Sequence, residues 1–459
     1  MRIRILGLCV AVVMLSGSFV FGQCGVSSMS YGAANAGINL DYEAVKVEEF
    51  INYHRHQLPL PHKGERIHLD LQMAKLPNGR VGLQVGLTTR RATDRALRKP
   101  LNLVMVIDRS GSMSGERIKK VKQSLQMLIE QLSPRDFVSI VSFNESATVD
   151  LCQCDNSDMQ AVSKAIDKIC AGGSTNLHGG LMLGYKQAKK NFDKERSNRV
   201  ILLTDGRANV GTIDPDEIAG DSKEFNKKGI ELSAVGLGHS FNHQLLRQLA
   251  LAGRGAVHFV DNPEGMQKVF VDEFDSLLSE AARKLKVEID FGDADHVQKI
   301  YGYAPQKNGS TYVFKPDNMG HGATQVILAE LDDMDEKVKV ELSYLDCSSD
   351  QKQTTTETIE IDFERAKALS ENRSMRKNFS IGKVADSIRK SAKLCSKKEY
   401  EKSRKKLSAG IKYAKKHFDS GDDKDVDRVV KLAKERRDNI RKAQEELEAQ
   451  PVATRKSRE

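Results

Sequence analysis

Between Leu101 and about Ser279 two hydrophobic rhythms alternate along the chain. Short unbroken apolar runs, LNLVMVI, DFVSIVSF, RVILLT, ELSAVGL and AVHFV, read as strands buried on both faces. Between them lie longer stretches in which apolar residues recur every three or four positions. In GERIKKVKQSLQMLIEQL the stripe is Ile118, Val121, Leu125, Leu128 and Leu132. DMQAVSKAIDKI, LHGGLMLGYKQAKKNF, DPDEIAGDSKEFNKKG, FNHQLLRQLALA and PEGMQKVFVDEFDSLLSEAA complete the set of helices. ATVDL after FNES reads as a short antiparallel edge strand. This alternation predicts an α/β region with a doubly wound, mostly parallel sheet, whose right-handed crossovers place the carboxyl ends of the strands along one rim.

On either side the rhythm changes to period two. RIHLDLQMAK and RVGLQVGLTTR, joined by LPNG, predict a hairpin, and KLKVEIDF, STYVFKP, GATQVILAEL, KVKVELSYL and ETIEIDF continue the pattern after the α/β region. Residues 66–100 and 283–363 are expected to form one β-sandwich into which the α/β region, 101–282, is inserted. Residues 23–65 hold one short helix, YEAVKVEEFINYH, with Val45, Val47, Phe50, Ile51 and Tyr53 partly on one face. Residues 371–449 are helical and charged. Three stripes, Ile381 to Cys395, Leu407 to Phe418 and Val426 to Leu447, predict a small bundle or helices docked on the sandwich.

Composition sharpens this picture in three places. A chain of 459 residues exceeds one compact core. Residues 1–22 read as a secretory signal peptide, with Arg2 and Arg4 ahead of an apolar core and Val20-Phe21-Gly22 as the cleavage site. Lipidation at Cys24 is disfavoured because Gln23, not a small residue, precedes it. The expectation is an exported protein of the periplasm, envelope or exterior. Six cysteines would then remain, Cys24, Cys152, Cys154, Cys170, Cys347 and Cys395, as buried thiols or with one local disulfide, in which Cys152 or Cys154 reaches Cys170. The net charge of +9 is all C-terminal: 27 Lys and Arg against 15 Asp and Glu from Glu371 to Glu459, 45 against 48 elsewhere. Those basic helices read first as solvated faces laced with i,i+4 pairs. Contact with an anionic envelope polymer is the second reading, and export argues against nucleic acid.

The candidate chemistry lies at the predicted rim. LVMVIDRSGSMSG ends the first strand with Asp108, Ser110 and Ser112; AGGSTNLHGG supplies Thr175; LLTDGRAN supplies Asp205. Ligand crevices of open α/β sheets lie outside the carboxyl ends of the strands. Three hydroxyls and two carboxylates suit a hard cation, Mg²⁺ or alternatively Mn²⁺ or Ca²⁺, and no His or Cys stands among them to favour zinc or copper. Singly, each piece is ordinary: Ser114 before GER would serve as an N-cap, and TDG as a turn.

Taken together, the D-x-S-x-S element, the later Thr and the T-D-G resemble the metal-ion-dependent adhesion site of von Willebrand factor type A domains. VGLGHSFNHQLLRQLALAGRGAVHFV is similar to the closing portion of that family, and the flanks resemble exported bacterial proteins in which such a domain interrupts a β-domain. The resemblance implies that Asp108, Ser110, Ser112, Thr175 and Asp205 are metal ligands, some through water. It also implies a non-enzymatic binding protein whose cation bridges to an acidic residue of a protein partner. Arg109, a bulky cation inside the motif, is a departure from the family's pattern, read either as contact with that acidic partner or as a solvated side chain. The alternatives are an envelope assembly factor with a structural metal and a metal-dependent hydrolase, which lacks a neighbouring His or Glu base. Elsewhere, no G-x-S-x-G, P-loop or dinucleotide fingerprint occurs. His54, His56, His62 and His68 cluster loosely, and read as exposed loop histidines before they read as a metal site.

Overall fold

A computed structural model of the chain describes Tyr42 and residues 45–90, 99–155, 158–205, 208–237, 243–253, 257–260, 280–332, 336–349, 351–362 and 364–449, with Gly255 and Phe270. The expected signal peptide and Cys24 lie outside these residues, as does nearly all of the expected helix PEGMQKVFVDEFDSLLSEAA.

The described chain begins with a five-residue helix, α1 (Val47–Ile51), shorter than the sequence stretch suggested. It stops because Asn52 turns its amide onto a strand: Nδ2 donates to the Val326 carbonyl at 3.2 Å and Oδ1 accepts from the Val326 N–H at 2.7 Å. The predicted hairpin follows as β1 (Ile67–Lys75) and β2 (Val81–Thr89), in antiparallel register.

The α/β region comprises β3 (Leu101–Asp108), α2 (Glu116–Ile129), β4 (Phe137–Phe143), β5 (Ala147–Asp155), α3 (Met159–Lys168), α4 (Leu177–Lys190), β6 (Ser197–Thr204), α5 (Pro215–Asn226), β7 (Ile230–Leu237), α6 (His243–Ala252) and β8 (Val257–Val260). The sheet order is β5-β4-β3-β6-β7-β8; only β5 is antiparallel, as the edge strand was expected to be. β3 is buried along its whole length because its alternate residues enter two cores. Leu103, Met105 and Ile107 pack with α2 and α3 on one face. Val104 and Val106 pack with α4, α5 and α6 on the other. Gly184 is required there: a Cβ on it would collide with the Val106 side chain, so only glycine lets α4 lie this close to β3.

After the α/β region come β9 (Glu280–Asp290), β10 (Val297–Ile300), β11 (Gln306–Asn308), β12 (Thr311–Phe314), β13 (Met319–Gly320), β14 (Thr324–Leu331), β15 (Glu336–Asp346) and β16 (Lys352–Ile361). One sheet runs β1-β2-β14-β10; the other runs β11-β12-β9-β15-β16, with β13 also on β9. Strands from both sides of the α/β region thus share one sheet, and Leu69, Leu83, Val85, Val287, Val340 and Leu342 lie in the core common to both sheets.

Three helices follow, α7 (Arg373–Ser396), α8 (Tyr400–His417) and α9 (Lys424–Ala449). The two arrangements considered from the sequence coexist. The helices bundle, and the bundle is docked on the β1-β2-β14-β10 sheet: Phe379, Val384 and Ile388 share a core with Ala74, Val326, Leu328 and the α1 residues Phe50 and Ile51. The alternation in VGLQVGLTT therefore does not mark a wet face. All nine residues of β2 are buried, Gly82 lies under the Phe379 ring, and the Asn378 amide donates to Gln84 Oε1 at 2.7 Å.

Two other expectations change. His54 and His56 are buried, not exposed. Cys152, Cys154, Cys170, Cys347 and Cys395 are all free thiols; Cys395 is buried, whereas Cys152 and Cys170 are exposed, so the local disulfide is not formed. Among the described residues no helix is long and apolar enough to cross a membrane.

Candidate metal centre

The ends of β3 and β6 meet at the rim as their parallel register requires, with Ile107 opposite Leu203. Asp108 is fully buried. One carboxylate oxygen accepts from the Ser110 N–H at 2.8 Å, and the other from the Thr204 hydroxyl at 2.6 Å. Beyond it the chain makes a single 3₁₀ turn, Gly111–Met113, with Ser110 at its start. That turn brings Ser110 Oγ within 3.1 Å of Ser112 Oγ, and the Ser112 hydroxyl donates to Asp205 Oδ1 at 2.7 Å. Four of the five predicted ligands are thereby joined through one hydrogen-bonded chain with Thr204. The helix after the motif starts from Gly115, at φ +76° and with no side-chain cap, so Ser114 is not the N-cap.

Thr175 arrives on the loop between α3 and α4, which is sewn to both other loops by backbone. Gly111 N–H donates to Gly173 O and Gly172 N–H to Arg109 O, each at 2.8 Å. Asn209 N–H donates to Thr175 O at 3.0 Å, and Thr175 N–H to Asn209 Oδ1 at 2.8 Å. Gly173 sits at φ +82°, a backbone conformation that favours glycine. Asn144, at the end of β4, holds the same loop through the Gly172 carbonyl at 3.1 Å.

The electrostatics are those of a carboxylate pair short of positive charge. Burial pushes the Asp108 carboxyl above its ordinary range, hydrogen bonds from Ser110 and Thr204 partly offset this, and the nearby Asp205 charge adds to it. Among the described residues the cation paired with Asp205 is Arg117, from the first turn of α2. Its Nη1 lies 2.5 Å from Asp205 Oδ2 and donates to the Ser112 carbonyl at 3.1 Å. The Arg117 side chain is half exposed. Arg109, the cation singled out in the sequence, is turned elsewhere: its Nε donates to Ser142 Oγ on β4 at 3.1 Å. Arg117 was missed because it lies outside the motif, although its place five residues after Ser112, one helical turn in, was the available signal.

The donor set fits a hard divalent cation. Asp108, Ser110, Ser112 and Asp205 present only oxygens, two of them carboxylates within one hydrogen-bonded cluster, with the Thr175 loop fastened beside them.

The α/β portion of the chain is a von Willebrand factor type A domain: residues 102–272 match the model of that family. Such domains are generally modules of protein interaction or adhesion, not enzymes, and commonly bind a divalent cation at the adhesion site. The chain is 32% identical to the uncharacterized protein YfbK of Escherichia coli over 271 residues, covering 57% of this chain and 47% of that one. It is 27% identical to human inter-alpha-trypsin inhibitor heavy chain H3 over 252 residues, 49% of this chain and 27% of that one. The chain thus spans about half the length of its YfbK relative. Among solved structures it is similar to a von Willebrand factor type A protein from Catenulispora acidiphila, at 15% identity and TM-score 0.47 over 77% of this chain and 87% of that one.

Proposed function

We propose that this is an exported, metal-dependent binding protein of the periplasm, envelope or exterior. Its rim holds Mg²⁺, with Mn²⁺ or Ca²⁺ as alternatives, through Asp108, Ser110, Ser112, Thr175 and Asp205. The cation, once bound, offers an open position to a carboxylate of a protein ligand. The chain's own part is to fix short-armed oxygens on three cross-braced loops and to bury Asp108 so that its charge has the cation as its natural counterpart. Arg117 then leaves Asp205 and stands at the lip of the site, placed to meet an acidic partner. The basic helices α7 to α9 add a surface for anionic envelope polymers. The observation carrying this reading is the oxygen cluster itself, with Asp205, Ser112 and Ser110 in one hydrogen-bonded row.

The test is affinity capture of envelope proteins by the wild type and by Asp108→Ala, with Mg²⁺ and with EDTA. Capture should need both Asp108 and the cation. Capture that survives chelation and the substitution overturns the reading.

A further inference from the structure

The four histidines of the N-terminal stretch divide into two pairs. His54 and His56 are buried, whereas His62 is exposed and His68 half-buried, with Glu65 between them in sequence. One ring nitrogen of each imidazole and one carboxylate oxygen of Glu65 all lie within 4.8 Å of one another. The two rings meet edge to face, centroids 5.5 Å apart, and His68 Nδ1 is 3.7 Å from Glu65 Oε2.

The arrangement is held before any ion arrives. Residues 62–65 form a turn closed in both directions: Glu65 N–H donates to the His62 carbonyl at 3.0 Å, and His62 N–H donates to Glu65 Oε2 at 2.9 Å. Gly64 supplies the φ of +96° inside that turn. On one side Pro61 is tethered through its carbonyl by the Arg90 side chain. On the other His68 is fixed in β1 opposite Thr88. Arg66, which could have neutralised Glu65, is spent on Asp346 at 3.3 Å and on Ser348. Among the described residues no Lys or Arg forms an ion pair with Glu65.

We infer that His62, Glu65 and His68 form a second metal site, for a borderline transition ion of the zinc class, independent of the rim. Two imidazoles and one carboxylate select Zn²⁺, Co²⁺ or Ni²⁺ over Mg²⁺ and Ca²⁺, the opposite preference to the all-oxygen rim. Tetrahedral ligands about 2.1 Å from zinc stand roughly 3.4 Å apart. Side-chain rotations of about an ångström therefore close the site with the turn unchanged. Three protein ligands leave a fourth position to water, so the ion is exchangeable. When bound, it ties residues 61–65 to the first strand of the sandwich.

The test is titration of the full chain with Co²⁺, followed by its visible absorption, with Mg²⁺ in excess to fill the rim. One saturable equivalent is expected. His62→Ala/His68→Ala should weaken it by tenfold or more with an unchanged circular dichroism spectrum, and Asp108→Ala should leave it intact. His62 is exposed and His68 half-buried, so the single variant His62→Ala, which should also weaken the signal, serves as the folded control beside the double variant. Absence of a saturable signal in the wild type, or a signal that persists in the double variant or is lost in Asp108→Ala, overturns the inference.

Discussion

Two of the buried carboxylate clusters among the described residues answer the cost of burial in opposite ways. At the C-terminal bundle Asp425, at the start of α9, receives Lys377 Nζ at 2.5 Å and Arg428 Nη1 at 2.9 Å, while Asp423 receives Lys377 at 3.1 Å. Burial alone would raise the Asp425 carboxyl; Arg428, His54 and Lys377 bring it far below the carboxylate range. Arg428 also lies 3.9 Å over the Tyr53 ring, so the cluster fastens α9, α7 and the N-terminal segment together. At the rim burial displaces the Asp108 carboxyl upward instead, and the hydroxyls and backbone N–H that it accepts from offset only part of that displacement. A closed cluster of this kind supports a fold. An open one is a vacancy of charge that an ion can enter.

The comparison can be broken first at its closed end. Asp425→Ala leaves Arg428 without its carboxylate and Lys377 with Asp423 alone, and should cost about 3 kcal/mol, read as a lower urea midpoint. Asp108→Ala, which removes an underpaired charge, should cost much less.

Acid acts on the same end. Burial, and after it the Lys377 charge, pushes His56 down to about 3, and burial with His56 and Lys377 lowers His54. As pH falls below about 6.5 the unfolded chain binds protons that the folded chain refuses. The stability that His56 holds above that pH is therefore lost on the way toward about 3, with a slope of ~1.4 kcal/mol per pH unit, and His54 acts in the same direction. Urea titrations from pH 7 to pH 4.5 should show this fall, and His56→Gln, which keeps a donor toward Asn52, should flatten it.

A smaller effect sharpens the open end. Arg117→Met removes the cation that competes for Asp205 and should tighten Mg²⁺ binding about fivefold by calorimetry, a half-exposed pair being worth roughly 1 kcal/mol. Weaker binding would make Arg117 part of the site's support instead of its competitor. The smallest effect is expected between exposed groups: Glu401→Gln, which breaks the Lys405 pair on α8, should leave the urea midpoint where it was.

Much of the α/β sheet and rim was legible because their signals are local. Continuous apolar strands, stripes at helical spacing and small oxygen-bearing residues at strand ends all report through nearest neighbours. What was hidden depends on distant parts of the chain. VGLQVGLTT alternates as a half-wet strand does, and α7, far along the chain, together with Leu58 of the N-terminal segment, turns its second face into interior. His54 and His56 look like loop residues until Lys377 and Asp425 close over them. Arg109 was more conspicuous in the sequence than Arg117, but direction, not proximity along the chain, decides which guanidinium reaches a carboxylate.

The shared sheet also dictates an order of events as the chain emerges. Thr88 of β2 pairs with Thr324 of β14, and the whole α/β domain lies between them. The hairpin made early has an unpaired edge that must wait while the inserted domain is synthesised and folds. β14 then covers that edge, and α7 the exposed face behind it. A pause within the α/β domain would leave the hairpin edge open to neighbouring chains, so aggregation of this protein should be governed by the timing of its second half.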